Sequence, residues 1–212
     1  MATQARSLET RRRLLDAAVE ALIKEGYHAC TTIEIVRRAG VARGAYIHHF
    51  GSQPELMRAA LHHLADKRLQ SLERSLKRVK GGDRIGQLIE MLFTRLYSGD
   101  LFEAMCELWV AARTTPYLRP IVWETGLEFR DRVISLLEAE LTVDGRPRDN
   151  LRERIECVID PMIGAGLTSL LRGRRHLLKH TDVWRDLLVQ FVTDEAAAAI
   201  VDDRGEGRRM RA

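Results

Sequence analysis

The segment from Thr31 to Phe50 holds the side chains best suited to gripping a polyanion. Arg43 carries a planar guanidinium that can donate two parallel hydrogen bonds to a guanine edge. Gly44 and Ala45 beside it are small and let a backbone come close, and His48 can reach a phosphate or a base edge. Tyr46 and Ile47 lie in the same run. Thr31 and Thr32 place hydroxyls and backbone amides at a helix start, where free N–H groups and the dipole stabilise a phosphate. Arg37 and Arg38 add charge upstream, either on the binding face or on an ordinary solvated one. The pair His48-His49 has no carboxylate or cysteine at ligand spacing, so it gives no metal site.

These side chains need a frame. Thr31 and Glu34 have the spacing of a capping box. Gly40 tolerates the positive φ of a tight turn. Ile33, Val36, Val41 and Tyr46 are spaced to hold the angle between two short helices, one before the turn and one over about Ala42–His49. In such a helix-turn-helix the second helix enters the major groove while the first braces it. Upstream, Leu14, Leu15, Ala18, Leu22 and Ile23 recur at helical spacing from about Thr10 to Glu25, with Gly26 as the stop. Downstream, Ser52 and Glu55 make a second capping box, and a long leucine-bearing helix runs on to about Val79.

Charge agrees with this placement. Residues 1–68 hold 11 Lys and Arg against 7 Asp and Glu, and the remainder is balanced, so the whole net excess of +4 sits in the first third. Local basic excess is a nucleic-acid signal when it falls on a motif.

The stretch TRRRLLDAAVEALIKEGYHACTTIEIVRRAGVARGAYIHHFGSQPELMRAAL resembles the N-terminal domain of the TetR family of regulators. TTIEIVRRAGVARGAYIHHF and GSQPEL carry the likeness most specifically. The resemblance implies an all-α fold: a three-helix DNA-binding domain, then a helical body that binds a small ligand and dimerises. It also implies a repressor released from a palindromic operator by its ligand. A ligand-independent DNA-binding protein and an activator of the same fold are the alternatives. The sequence departs from the family pattern at Val36, Ala42, Tyr46, Ile47 and Gln53. Ile47 and Gln53 stand where Tyr and Lys commonly contact phosphate. Anchoring is therefore expected to lean on Thr31, Thr32, Arg43 and His48.

The expected organisation is a DNA-binding domain at 8–68, a ligand and dimer domain at 69–201, and a disordered tail at 202–212. After the break at Gly81-Gly82, helices are expected over about 83–97, 101–113, 118–141, 150–172 and 183–201, with another break from Val143 to Pro147. Met91, Tyr97, Phe102, Met105, Trp109, Trp123, Phe129 and Met162 are the candidates for lining a ligand pocket, against the simpler reading of ordinary core. Arg95, Glu107, Arg113, Glu124 and Asp160 either orient a ligand or form surface ion pairs. Gly164, Gly166, Leu170, Leu187 and Phe191 are candidates for a homodimer interface. Asp160-Pro161 is expected to kink its helix. Cys30, Cys106 and Cys157, with no CxxC spacing, are expected to act as small buried hydrophobes. His62-His63 reads as polar surface.

No enzyme signature is present: no GxSxG, P-loop, HExxH or dinucleotide fingerprint. No cofactor is expected. No run approaches the roughly 18 apolar residues of a membrane span, and the polar N-terminus lacks a signal-peptide core, so a cytoplasmic protein is expected.

Overall fold

The structure is a computed structural model that describes residues 2–79, 84–142, 150–172 and 181–193. Among these, all regular structure is helical. The breaks at Gly81-Gly82 and Val143–Pro147, the last residues of the helix expected to reach 201, and the 202–212 tail lie outside the described residues.

Helix α1 spans Ala2–Glu25 and starts earlier than expected. Its first turns bury little, so they leave no apolar period to read. They hold by local means: the Thr10 hydroxyl donates to the Arg6 carbonyl (2.9 Å), and Arg12 pairs with Glu9 (3.1 Å). The later turns bury Leu14, Leu15, Ala18, Val19 and Leu22. After a 3-10 turn at Tyr27–Ala29 come α2 (Thr32–Ala39), α3 (Arg43–His49) and α4 (Gln53–Leu76). Then follow α5 (Arg84–Met91), continued as a π-helical segment at Leu92–Leu96, and α6 (Asp100–Thr114), α7 (Leu118–Leu141), α8 (Leu151–Arg172) and α9 (Thr181–Thr193).

The chain forms two compact units, and they are not contiguous in sequence. The first joins residues 1–69 to 100–129; the second joins 70–99 to 130–212. In the first, Leu14, Leu22, Ile35, Leu56, Leu61, Leu64, Leu108 and Leu118 belong to one core to which α1, α2, α4, α6 and the start of α7 contribute. The Tyr27 and Tyr117 hydroxyls meet at 2.7 Å and tie the 3-10 turn to the loop before α7. Arg68 is buried with its guanidinium 4.3 Å from the centre of the Phe129 ring.

In the second unit α9 packs on α5 and α8. Arg154 on α8 is buried and donates to the Val192 carbonyl at 2.9 Å, which satisfies a group in the last turn of α9. Arg130 pairs with Asp160 at 2.6 Å, and Arg152 with Asp131 and Glu138. Pro161 sits inside α8 without ending it.

Candidate DNA interface

The geometry of α2 and α3 follows from four local devices. The Thr31 hydroxyl oxygen accepts the Glu34 amide at 3.2 Å and caps α2. Only half of the expected capping box forms, because the Glu34 carboxylate turns to Arg37 (2.6 Å) and Arg38 (2.6 Å). Gly40 adopts φ 59°, ψ 42°, so its amide reaches the Arg37 carbonyl (3.2 Å) while that of Val41 reaches Val36 (3.4 Å). This is the paired C-terminal closure that a left-handed residue allows. Arg13 reaches across from α1 and donates to the carbonyls of Ala39 (2.5 Å) and Gly40 (3.1 Å). A cation there also suits the negative end of the α2 dipole. Finally Gln53, at the start of α4, accepts the Thr32 hydroxyl at 2.9 Å and donates to the Cys30 carbonyl.

Sequence reasoning missed Arg13, because its partners lie 26 and 27 residues away and leave no local pattern. It also treated Gln53 only as a lost phosphate contact, whereas here it braces the entry to α2. Thr32 changes role with it. Its single hydroxyl proton is committed to Gln53, so Thr32 offers phosphate a backbone amide rather than a side-chain donor. Thr31 is exposed and its oxygen accepts in the cap, so among the described residues its own O–H remains open to an outside acceptor.

Helix α3 divides cleanly. Tyr46 and Phe50 are buried in the core with Ile35 and Ala39. Ala45 and His49 are half-buried. Burial, with His48 and Arg11 nearby, holds the His49 imidazole below its usual range and favours its neutral form. Arg43, Gly44, Ile47 and His48 are exposed. They stand at i, i+1, i+4 and i+5, which is one face of a helix. Of the eight expected DNA-contacting residues, these four share the outward stripe of α3, while Thr31 and Thr32 sit at the start of α2. Ala45 lies to the side and Tyr46 faces inward. Arg11 lies 5.4 Å from the Phe50 ring centre and adds a further cation at this end of α1.

Four expectations are corrected here. Ile33 was expected to hold the inter-helix angle, but it is 79% exposed; Ile35 takes that place at 0%. Position 33 begins the helix on its outer side, and two residues further round, the helix turns inward. Arg38 is not a solvated face: it is largely covered and bridges Glu25 and Glu34. His63 is more than surface, since it meets Asp16 at 2.8 Å, where Lys67 also binds at 2.7 Å, joining α4 to α1. Cys157 is exposed, while Cys30 and Cys106 are buried, and burial pushes their thiols up to about 12 and about 11.

Of the pocket candidates, Phe102, Met105, Trp109, Trp123 and Phe129 belong to the first unit, and Met91, Tyr97 and Met162 to the second. Trp123 is 67% exposed. Within the second unit, Ile85, Leu88, Ile89, Leu92, Leu137, Leu141, Ile155, Val158, Ile159 and Val192 line a small apolar cavity of about 20 Å³ that includes none of the eight candidates. The polar candidates stay on the surface: Glu124 pairs with Arg58 (3.0 Å), Asp160 pairs with Arg130, and Arg95, Glu107 and Arg113 are exposed. Gly164, Leu170 and Leu187 are exposed, Phe191 is half-buried, and Gly166 is buried within its own chain. Among the described residues no three His, Cys, Asp or Glu side chains gather as a metal site, and no helix is long and apolar enough to cross a membrane.

A braced helix pair with Arg43 and His48 on its outward stripe has the geometry of a helix-turn-helix DNA-binding element. Residues 14–60 match the family model described as bacterial regulatory proteins, tetR family. The HTH-type transcriptional regulator CymR of Pseudomonas putida is 28% identical over 169 residues, covering 79% of this chain and 83% of that protein. A TetR-family member from Streptomyces coelicolor A3 superposes with a TM-score of 0.63 at 24% identity, over 85% of this chain and 96% of that one. The multidrug binding protein EbrR, complexed with imidazole, gives 0.62 at 23% identity, over 85% and 93%. The likeness to the tetR family of bacterial regulatory proteins is carried by residues 14–60, the helix-turn-helix part of the chain.

Proposed function

We propose that this protein is a cytoplasmic repressor that binds a palindromic operator as a homodimer and leaves it when a small, largely apolar molecule binds. The observation that carries the DNA reading is the outward stripe Arg43, Gly44, Ile47 and His48, set by the inward anchors Tyr46 and Phe50. In this reading the Thr31 hydroxyl, the amides at the start of α2 and the His48 imidazole hold phosphates, and Arg43 reaches a base edge.

Dimerisation is supported by apolar side chains that the chain leaves uncovered in the second unit. Leu167, Leu170 and Leu171 on α8, and Val183, Trp184 and Leu187 on α9, are all more than a third exposed. Uncovered apolar side chains on two helices that pack together suit an association site. A two-fold dimer presents two recognition helices to half-sites one or more DNA turns apart. Ligand binding is supported by the drug binding stated in the name of EbrR. A ligand releases DNA when it prefers the non-binding arrangement by about 1–3 kcal/mol. Helix α4 belongs to both units and is the element through which such a preference would act.

The test is a gel shift with the full-length protein on the DNA flanking its own gene, with and without apolar aromatic compounds. A specific shift that a compound abolishes is expected. Specific binding unaffected by every compound would leave a ligand-independent regulator, and increased transcription from the same site would make it an activator.

A further inference from the structure

We propose that Ile47 reads sequence: it selects a thymine in each operator half-site through contact with the thymine 5-methyl group. The inference rests on the DNA-binding reading above. Ile47 is 56% exposed on a helix whose other large apolar side chains, Tyr46 and Phe50, are in the core. The fold therefore gains little from its aliphatic surface. Arg43 stands one turn before it and His48 beside it, so polar hydrogen-bonding groups surround one aliphatic centre. Gly44, three residues before it, is open: a Cβ there would meet nothing within 4 Å. A groove floor can thus approach the Ile47 side chain from that side.

The major groove offers an aliphatic side chain one matching group, the C5 methyl of thymine. Against guanine O6 or cytosine N4 the same side chain would desolvate a polar group and return no hydrogen bond. The position follows from helix geometry. Four residues at about 1.5 Å each place Ile47 about 6 Å beyond Arg43. At about 3.4 Å per base pair, the thymine lies about two base pairs from the pair that faces Arg43.

The experiment selects half-sites from a randomised duplex library with the full-length protein, then replaces each thymine of the selected duplex by deoxyuridine. One thymine per half-site is expected to matter. Losing its methyl should weaken binding about threefold in one half-site and about tenfold in both. The salt slope should not change, because no charge is lost. Ile47→Ala should bind the thymine and uracil duplexes equally at that position, and Ile47→Val should keep the preference. Tolerance of uracil at every position by the unaltered protein would overturn the inference. So would an equal uracil penalty in Ile47→Ala, since another residue would then read the methyl. Failure to select any duplex is a different result, and removes the DNA-binding reading itself.

Discussion

Single residues at the interface divide into those that hold the fold and those free to touch DNA, and substitutions can separate the two. Gly44 is the sharpest case. Its helical position and the open space around it mean that alanine fits without strain. Gly44→Ala should stabilise the fold by about 0.5–1 kcal/mol, since glycine is the poorer helix former. It should nevertheless weaken DNA binding, because a methyl now stands where the groove approaches. Thermal melting and binding anisotropy on one sample check both signs; unchanged affinity would place Gly44 away from DNA. Thr31→Ala removes the α2 cap and should cost about 1 kcal/mol. The cysteines differ by burial. Cys30 and Cys106 should resist alkylation at pH 8 while the fold holds, and all three thiols should react in denaturant, which mass spectrometry reads directly.

At the scale of the element, α2 is held from outside itself. Arg13 caps its C-terminal carbonyls from α1, and Arg38 links it to Glu25 at the end of α1. Arg13→Ala should cost about 1 kcal/mol, and it should weaken operator binding as the angle between α2 and α3 loosens. Both bonds come from one guanidinium nitrogen, and a lysine ammonium also carries several donors, so Arg13→Lys should recover much of the loss. Glu34 gives the element a pH dependence. Hydrogen bonds from Arg37, then Arg38, hold its carboxyl down to about 2, against 4.5 for the free group. A carboxyl depressed in the folded state stabilises it above the unfolded pKa, and this contribution fades as pH falls. The melting-temperature gap between the unaltered protein and Glu34→Gln should therefore be full above about pH 5 and close towards pH 2. A gap that persists at the acid end would mean that the glutamate acts by packing alone.

At the scale of the whole molecule, one chain leaves apolar side chains of α8 and α9 uncovered. If α8 and α9 pair with their copies, Leu171→Glu combined with Leu187→Glu should halve the mass in solution, from twice 24.2 kDa to 24.2 kDa. Light scattering measures this. The monomer should keep its helical circular dichroism, since both leucines are exposed in the chain. Its affinity for a two-half-site operator should fall to that of a single half-site. An unaltered protein that is already monomeric at micromolar concentration would remove the dimer from the mechanism.

Much of this molecule is legible without coordinates. The apolar period of α1, the caps at Thr31 and Ser52, the turn at Gly40 and the cationic run from Arg43 are all short-range patterns. Backbone hydrogen bonding and helix periodicity act over a few residues, so those elements can be read in order along the chain. Only tertiary structure decided which isoleucine turns inward, that Arg13 completes α2, that Gln53 takes the Thr32 proton, and that residues 100–129 join the first unit. Each of these depends on groups distant in sequence meeting in space, and no local spacing encodes such a meeting.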